Sequence, residues 1–309
     1  MPIWRDKDTV QFGVDPRRAV AISGLRAAAE VIRLLDGSRE REQLVTEATG
    51  RGVPAAVTER ILTLLAAAGA LIDYPAAMLR TAPPELRGRL LPELTAVSLS
   101  ARPGDGGASV LVRRSASRVA VCGAGDLASA ITDLLTRSGV ACLSVPGPAP
   151  RPDQDADLLV LTRPVAPELQ AELNRARTPH LAVSATEAIG IVGPLVEPGI
   201  TACLRCLDLA RAARDPAWPL VLAQLSRPRN DGPCAVLAAT VAAQAAAQAI
   251  AFVDQLPIAA ATSNGTLELV WPAWQWRRRS WQPHQSCSCA TAVTLSRPSG
   301  PVRTAMPVP

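Results

Sequence analysis

The stretch RVAVCGAGDLASAITDLLTR, from Arg118 to Arg137, decides how this chain folds. Arg118 to Cys122 is an apolar run of strand length that ends on a glycine. Gly123-Ala124-Gly125-Asp126-Leu127-Ala128 then turns the chain, and Leu127 to Thr136 sets apolar residues at helical spacing. Strand, glycine turn and helix in that order open a βαβ unit. The alternation continues downstream. Strands are expected at Ala141 to Val145, Asp157 to Leu161 and His180 to Ser184, with a helix at Pro167 to Ala176. Such a series implies right-handed crossovers and a mostly parallel, Rossmann-like sheet covered on both faces. Ile189 to Val196 reads as a further apolar strand pair, and Thr266 to Trp281 alternates as an antiparallel hairpin.

The pattern Gly123-x-Gly125-x-x-Ala128 is a dinucleotide-type turn. Its glycines permit a sharp bend and a close approach of phosphate to the helix N-terminus. Gly123, Gly125 and Asp126 are therefore the candidate nucleotide contacts. Two features oppose a working site. Asp126 sets a negative charge where phosphate would lie, and the next strand ends in Pro146-Gly147 with no acidic residue for a ribose hydroxyl. The alternative reading is a tight turn kept for packing.

Upstream, TVQFG and RAVAISG flank the turn Val14 to Arg17, a β-hairpin signal. Helical spacing follows over Leu25 to Leu35, then from Ser38 to Gly50. A third helix opens at Pro54 with Val57, Ile61, Leu62, Leu64 and Leu65 as its apolar residues. Ala70-Leu71-Ile72 reads as a closing strand. Three small helices with a hairpin resemble a winged helix, here residues 1–74. Residues 75–117 are broken by Pro83, Pro84, Pro92, Pro103 and several glycines, and read as a linker with an edge strand at Val110 to Val112. The second domain spans 118–290, and the Pro-, Ser- and Thr-rich tail 291–309 is expected to be disordered.

Cys203 and Cys206 lie in TACLRCLDLA, and Cys287 and Cys289 in WQPHQSCSCA. A CxxC pair can grip one metal from a single turn, and a second pair completes a tetrahedral sulfur set. A closed four-thiolate shell leaves no position for substrate, so the expected metal is zinc in a structural role. Two disulfides, or two unrelated thiol pairs, are the alternatives, and His284 can stand in for one sulfur. Cys122 and Cys142 lie in apolar strands and read as core. Cys234 precedes an alanine-rich helix and reads as a small buried residue. Only His180 and His284 are present as bases, which excludes a serine-centred triad.

Among 309 residues, 48% are hydrophobic and 19% charged, a globular balance. The net charge of +5 permits an acidic peptide or nucleic-acid partner and requires neither. It is carried almost wholly by arginine, since Lys7 is the only lysine. Arg277-Arg278-Arg279, flanked by Trp274, Trp276 and Trp281, is the basic–aromatic cluster of the chain. It fits nucleic acid, a partner protein, or simply the charged face of a hairpin. The N-terminus has no apolar signal region. Ala235 to Val253 is long enough to span a bilayer, but it is mostly alanine and places Gln244 and Gln248 on one face. It reads as a buried helix, with no membrane partner and a cytoplasmic location.

Taken in order, the glycine turn, GPLVEPG (Gly193 to Gly199), CLRCLDLAR (Cys203 to Arg211), DPAWP (Asp215 to Pro219) and HQSCSC (His284 to Cys289) form a series. It resembles the ThiF-like branch of the ubiquitin-activating superfamily. More narrowly, it resembles the ThiF-like cyclodehydratase partners, or leader-peptide-binding proteins, of thiazole/oxazole-modified microcin and bacteriocin pathways. IWRDKDTVQFGVDPRRAV with LLDG (Leu34 to Gly37) matches the winged-helix peptide-recognition domain of that group. The resemblance runs from about residue 3 to 290.

That resemblance implies an α/β chain with an N-terminal winged-helix peptide-recognition domain, then a Rossmann-like ThiF-type domain with a structural zinc. Adenylating members use an arginine and a lysine against phosphate charge. Here no lysine follows Lys7, and Arg137, Arg163 and Arg175 do not reproduce lysine geometry. The expectation is a subunit without ATP and without activity of its own. In the family a leader peptide adds as a strand to the winged-helix hairpin and packs on the third helix. That role falls to Arg17, Arg18, Val20, Ile22, Arg60 and Leu64 here. The implied partners are a precursor leader peptide and a YcaO-type cyclodehydratase, and superfamily members often pair as homodimers. An ATP-dependent adenylating enzyme and a winged-helix DNA-binding regulator are the alternatives. Nucleic acid is not expected, because the third helix offers only Arg60 near its middle.

Overall fold

Three short antiparallel strands open the chain in the computed structural model, which describes residues 2–16, 19–24, 28–68, 70–71, 83–101, 107–146, 156–225, 232–256 and 261–289. The chain divides into two units, Met1–Leu111 and Val112–Pro309.

In the first unit, β1 (Pro2–Trp4), β2 (Val10–Phe12) and β3 (Val20–Ile22) lie in the order β1-β2-β3. The β2–β3 hairpin is the one expected from the sequence, with Val10 opposite Ile22 and Phe12 opposite Val20. β1 was not expected, because three residues carry too little alternation to read. Three helices follow: α1 (Ala28–Leu34), α2 (Arg41–Gly50) and α3 (Ala55–Ala67). Val10, Val31, Leu34, Leu44, Ile61, Leu62 and Leu65 form one core, with Phe12 and Ile22 packed against it. Residues 70–71 lie outside any strand, and Ile72 lies outside the described residues.

The stretch expected to be an irregular linker carries helices instead. α4 spans Pro84–Ala101 and carries Pro92 inside it, and α5 spans Ala108–Ala116. The edge strand expected at Val110 to Val112 is thus helical. Leu94, Val97, Val110 and Leu111 are buried at helical spacing, and that burial outweighs the propensity of the prolines and β-branched residues.

The second unit is built on a seven-stranded sheet of order β10-β9-β8-β7-β6-β4-β5. Its strands are β4 (Val119–Cys122), β5 (Cys142–Val145), β6 (Leu158–Leu161), β7 (His180–Thr186), β8 (Ile189–Val196), β9 (Gly265–Val270) and β10 (Gln275–Ser280). Pairs β4–β5, β4–β6 and β6–β7 are parallel, as the βαβ reading required. Pairs β7–β8, β8–β9 and β9–β10 are antiparallel, so the sheet is mixed. Ile189–Val196 is one strand, not a pair. It continues through Gly193, where a side chain would sit 2.6 Å from the Gly265 carbonyl.

Helices α6 (Asp126–Arg137) and α7 (Pro167–Arg175) are the crossovers of the parallel half. Val119, Val121, Leu181 and Val183 face α6 together with α10 (Ala235–Val253). Ala120, Cys122, Leu159 and Leu161 face the other way, toward Leu173 of α7. The central strands are therefore apolar throughout. α10 has the length and apolarity to cross a membrane, yet it lies in the core and buries Leu237, Val241, Ala245 and Ala249. Gly190 lets it approach the sheet, since a Cβ there would meet Val241 at 2.2 Å. Buried Gln248 accepts a hydrogen bond from Thr262 at 3.0 Å.

Candidate metal centre and the cavity beside it

Two segments far apart in sequence deliver four sulfurs to one point. α8 (Leu204–Ala212) begins at Cys203, its N-cap, and puts Cys206 in its first turn. The second pair follows β10. Trp281 anchors that descent: its amide donates to the Asn264 carbonyl at 2.9 Å, and its indole donates to the Thr266 hydroxyl at 3.0 Å. Sγ–Sγ separations are 3.7 Å for Cys203–Cys206, 3.6 Å for Cys203–Cys287 and 3.2 Å for Cys206–Cys289. All four lie within 4.8 Å of one another. A tetrahedral metal with sulfur ligands at 2.3 Å sets sulfur–sulfur edges of about 3.8 Å. A disulfide requires about 2.05 Å, so the four thiols are unbridged. The His284 amide donates to Cys206 Sγ at 3.3 Å, and its Nδ1 receives the Ser286 amide at 3.2 Å. The His284 ring therefore does not stand in for a sulfur.

Charge at this point is unevenly held. The thiol of Cys203 hydrogen-bonds Cys206 and draws the latter's pKa down to about 4, while Cys203 itself is raised by the same bond and by burial. Burial first, then the contact with Cys206, pushes Cys289 up to about 12. Cys206 is thus favoured as a thiolate over Cys203 and Cys289, and a bound cation would favour the ionised form of those two as well. Donor chemistry, spacing and burial all fit a closed metal site.

The far side of α8 lines a cavity of about 210 Å³, with Arg163, Ser184, Asp208, Arg211, Trp218 and Leu222 in its wall. Trp218 belongs to α9 (Trp218–Leu225), and its indole donates to Asp208 at 3.2 Å. Arg211 lies 3.9 Å from Asp208, and its guanidinium stacks 4.8 Å from the Trp218 ring and 5.3 Å from Trp281. Burial raises the Asp208 carboxyl against the pull of Trp218 and Arg211, and burial lowers Arg211. Cys206 and Arg211 therefore tie one helix both to the sulfur cluster and to the cavity. Asp208, Arg211 and Trp218 lie in segments quoted above, yet none had been given a role. An acid and an arginine three residues apart, Asp208 and Arg211, were the available signal in a helix that also carries Arg205.

The glycine turn does not line this cavity. Gly123 has φ +141°, and a Cβ there would stand 1.9 Å from the Thr162 hydroxyl, which donates to the Cys122 carbonyl at 3.0 Å. Packing alone accounts for that glycine. Gly125 has φ +87° with open space around it, and Asp126 begins α6. Of the three candidate cations, Arg163 lines the cavity, Arg137 pairs with Asp133 at 3.4 Å, and Arg175 is exposed. Cys234 caps α10 and is exposed, contrary to the reading of it as buried. The end of a helix facing solvent needs no small core residue.

In the first unit, Arg17 and Arg18 lie outside the described residues. Val20 and Ile22 pair with Phe12 and Val10 on the edge strand, and Ile22 turns inward to the core. Arg60 and Leu64 stand one helical turn apart on the outer face of α3, where Leu64 is 43% exposed.

No family model matches the chain, and no curated protein matches it. Solved structures do. The heterocyclase TruD superposes with a TM-score of 0.62 at 18% identity, covering 94% of this chain and 41% of its own. A heterocyclase in complex with substrate and cofactor gives 0.63 at 18%, covering 94% and 38%. MccB of E. coli with ATP gives 0.55 at 14%, covering 94% and 97%. The chain thus spans about two fifths of the heterocyclases it matches and nearly all of MccB. It has the fold shared by these cyclodehydratase-related and microcin-biosynthesis proteins.

Proposed function

We propose that this chain captures a precursor leader peptide and presents it to a separate YcaO-type cyclodehydratase that forms azolines. The observation that carries this reading is the likeness of fold: two heterocyclase structures, one of them in complex with substrate and cofactor, superpose over 94% of the chain. A chain whose only lysine is Lys7 is poorly equipped to adenylate, which weighs against the main competing reading.

Capture falls to a winged-helix-like first unit. β3 is an outer strand of its sheet, and β3 and α3 share one core. A leader strand adding to the edge from Val20 to Ile22 gains main-chain hydrogen bonds, while Arg60 and Leu64 meet its acidic and apolar side chains. Arg17 and Arg18 precede this edge in the sequence and are assigned to the same role. The four cysteines hold a structural zinc that clamps α8 to the segment after β10. A cytoplasmic subunit, with or without pairing to a second copy, follows from the same reading.

The test uses the full chain with the leader of a candidate precursor peptide that is short and rich in Cys, Ser and Thr. Labelled leader should bind, and water loss from the precursor should need both this chain and the YcaO-type enzyme. ATP–pyrophosphate exchange by the chain alone should stay at background. Sustained exchange, or full cyclodehydration without this chain, overturns the proposal.

A further inference from the structure

The antiparallel half of the large sheet ends on an edge strand that the reading above leaves unused. β10 is the terminal strand, with five of its six residues exposed. Trp276 alone turns inward, toward the core shared with α6 and α10. At the turn preceding β10 four large apolar residues gather. Ile189 is 37% exposed, Val270 45%, Trp271 50% and Trp274 36%. Ile189 and Val270 are cross-strand partners, and the Trp271 amide donates to the Ala188 carbonyl at 2.8 Å. Trp271 and Trp274 meet edge to face at 5.2 Å and 72°.

The three arginines are not equivalent. Arg278 donates to the carbonyls of Ala261 and Ser263 and to the Ser280 hydroxyl, so its charge belongs to the sheet. Arg279 lies 3.4 Å from Glu268 and stacks 5.6 Å from the Trp281 ring. Arg277 stands across from Glu268 on the same face as Arg279 and is exposed. The edge therefore combines an outer row of main-chain groups, a net positive side and an aromatic step at one end.

We infer that β10 accepts an acidic, extended peptide segment as an added strand, with an acidic side chain at Arg277 and a large apolar one on Trp271 and Trp274. Charged edges often serve only to prevent aggregation. A guarded edge, however, has no use for four exposed apolar residues at its end. Pairing with a second copy would set like-charged arginine rows against each other, which is destabilising. Nucleic acid needs several uncommitted cations, and Arg278 and Arg279 are already engaged. A peptide strand uses every feature present: main-chain hydrogen bonds, one charge and one aromatic pocket.

The probe is fluorescein-labelled Glu-Val-Glu-Val-Glu-Val-Glu-Phe, read by anisotropy on the full chain. It should bind, whereas Lys-Val-Lys-Val-Lys-Val-Lys-Phe should not. N-methylation of alternate peptide amides should weaken binding about tenfold, and this control involves no variant protein. Arg277→Glu should weaken it about fivefold, and Trp271→Ala about tenfold, with circular dichroism unchanged. No binding up to about 1 mM overturns the inference. So does equal binding of the N-methylated peptide, an unaffected Arg277→Glu variant, tighter binding of an oligouridylate, or a dimer that Arg277→Glu abolishes. Leader capture by the first unit survives any of these results, since it rests on β3 and α3.

Discussion

Arg114 and Asp254, 140 residues apart, form a bidentate ion pair in the interior of the second unit. Nε meets Oδ1 at 2.9 Å and Nη2 meets Oδ2 at 2.6 Å, with side chains 5% and 1% exposed. Arg114 also donates to the Ser138 carbonyl at 3.1 Å, and Arg113 donates to the Asp254 carbonyl at 3.1 Å. The end of α5, the end of α6 and the end of α10 are thereby tied at one point. A chain segment read from sequence as a linker supplies one of the central fastenings of the sheet domain.

Removing one partner should be far worse than removing both. Arg114→Ala or Asp254→Ala leaves a buried charge alone and should cost about 3–5 kcal/mol in urea unfolding. Arg114→Met with Asp254→Leu should lie within about 1–2 kcal/mol of the parent chain.

The sulfur cluster gives a metal prediction with an internal control. The purified chain should contain about one zinc per molecule by elemental analysis. Cys206→Ser or Cys287→Ser should remove most of it and lower Tm by ~10 °C. Cys234→Ser, at an exposed helix cap, should change neither.

These fastenings were unequally visible in the sequence. The parallel half of the sheet announced itself, because a strand buried on both faces must be apolar throughout and Gly123 marks where it turns. The cysteine set was equally plain, since thiolate spacing reflects local geometry. The antiparallel half was only partly legible: Ile189 to Val196 read as a strand pair, whereas it is one strand that runs on through Gly193, with the Gly265 carbonyl beside it. α4 was hidden by Pro92, although the spacing of Leu90, Leu94 and Val97 was helical throughout. The Asp208–Arg211–Trp218 group could not be assembled from sequence, because it exists only once α8 and α9 fold over the sheet.

His180 makes the fold sensitive to acid. It is fully buried, its Nδ1 hydrogen donates to the Thr178 carbonyl at 2.9 Å, and its Nε2 has no partner among the described residues. Burial first of all lowers its pKa from 6.5 to about 4. Protonation therefore favours the unfolded chain. The contribution is fully present above pH 6.5 and is lost as pH falls from there toward 4, about 3 kcal/mol in total. His180→Asn keeps a donor for Thr178 but cannot titrate. Urea midpoints measured between pH 7 and 4 should fall less steeply for that variant.

The two glycines of the turn should separate packing from ligand binding. Gly123→Ala forces a methyl into the Thr162 hydroxyl and should destabilise by about 2–4 kcal/mol. Adding Thr162→Ala should recover part of that loss, leaving the strain of φ +141°. Gly125→Ala meets nothing within 4 Å, so only its φ of +87° counts, about 1 kcal/mol. If the turn held a nucleotide, Gly125, which opens the helix, would be the more sensitive position in an ATP-protection assay. If it is a packing device, thermal stability should fall further for Gly123→Ala than for Gly125→Ala, and added ATP should shift neither variant's Tm. The 1.9 Å contact with Thr162 favours the second outcome, because it demands glycine whether or not phosphate is ever present.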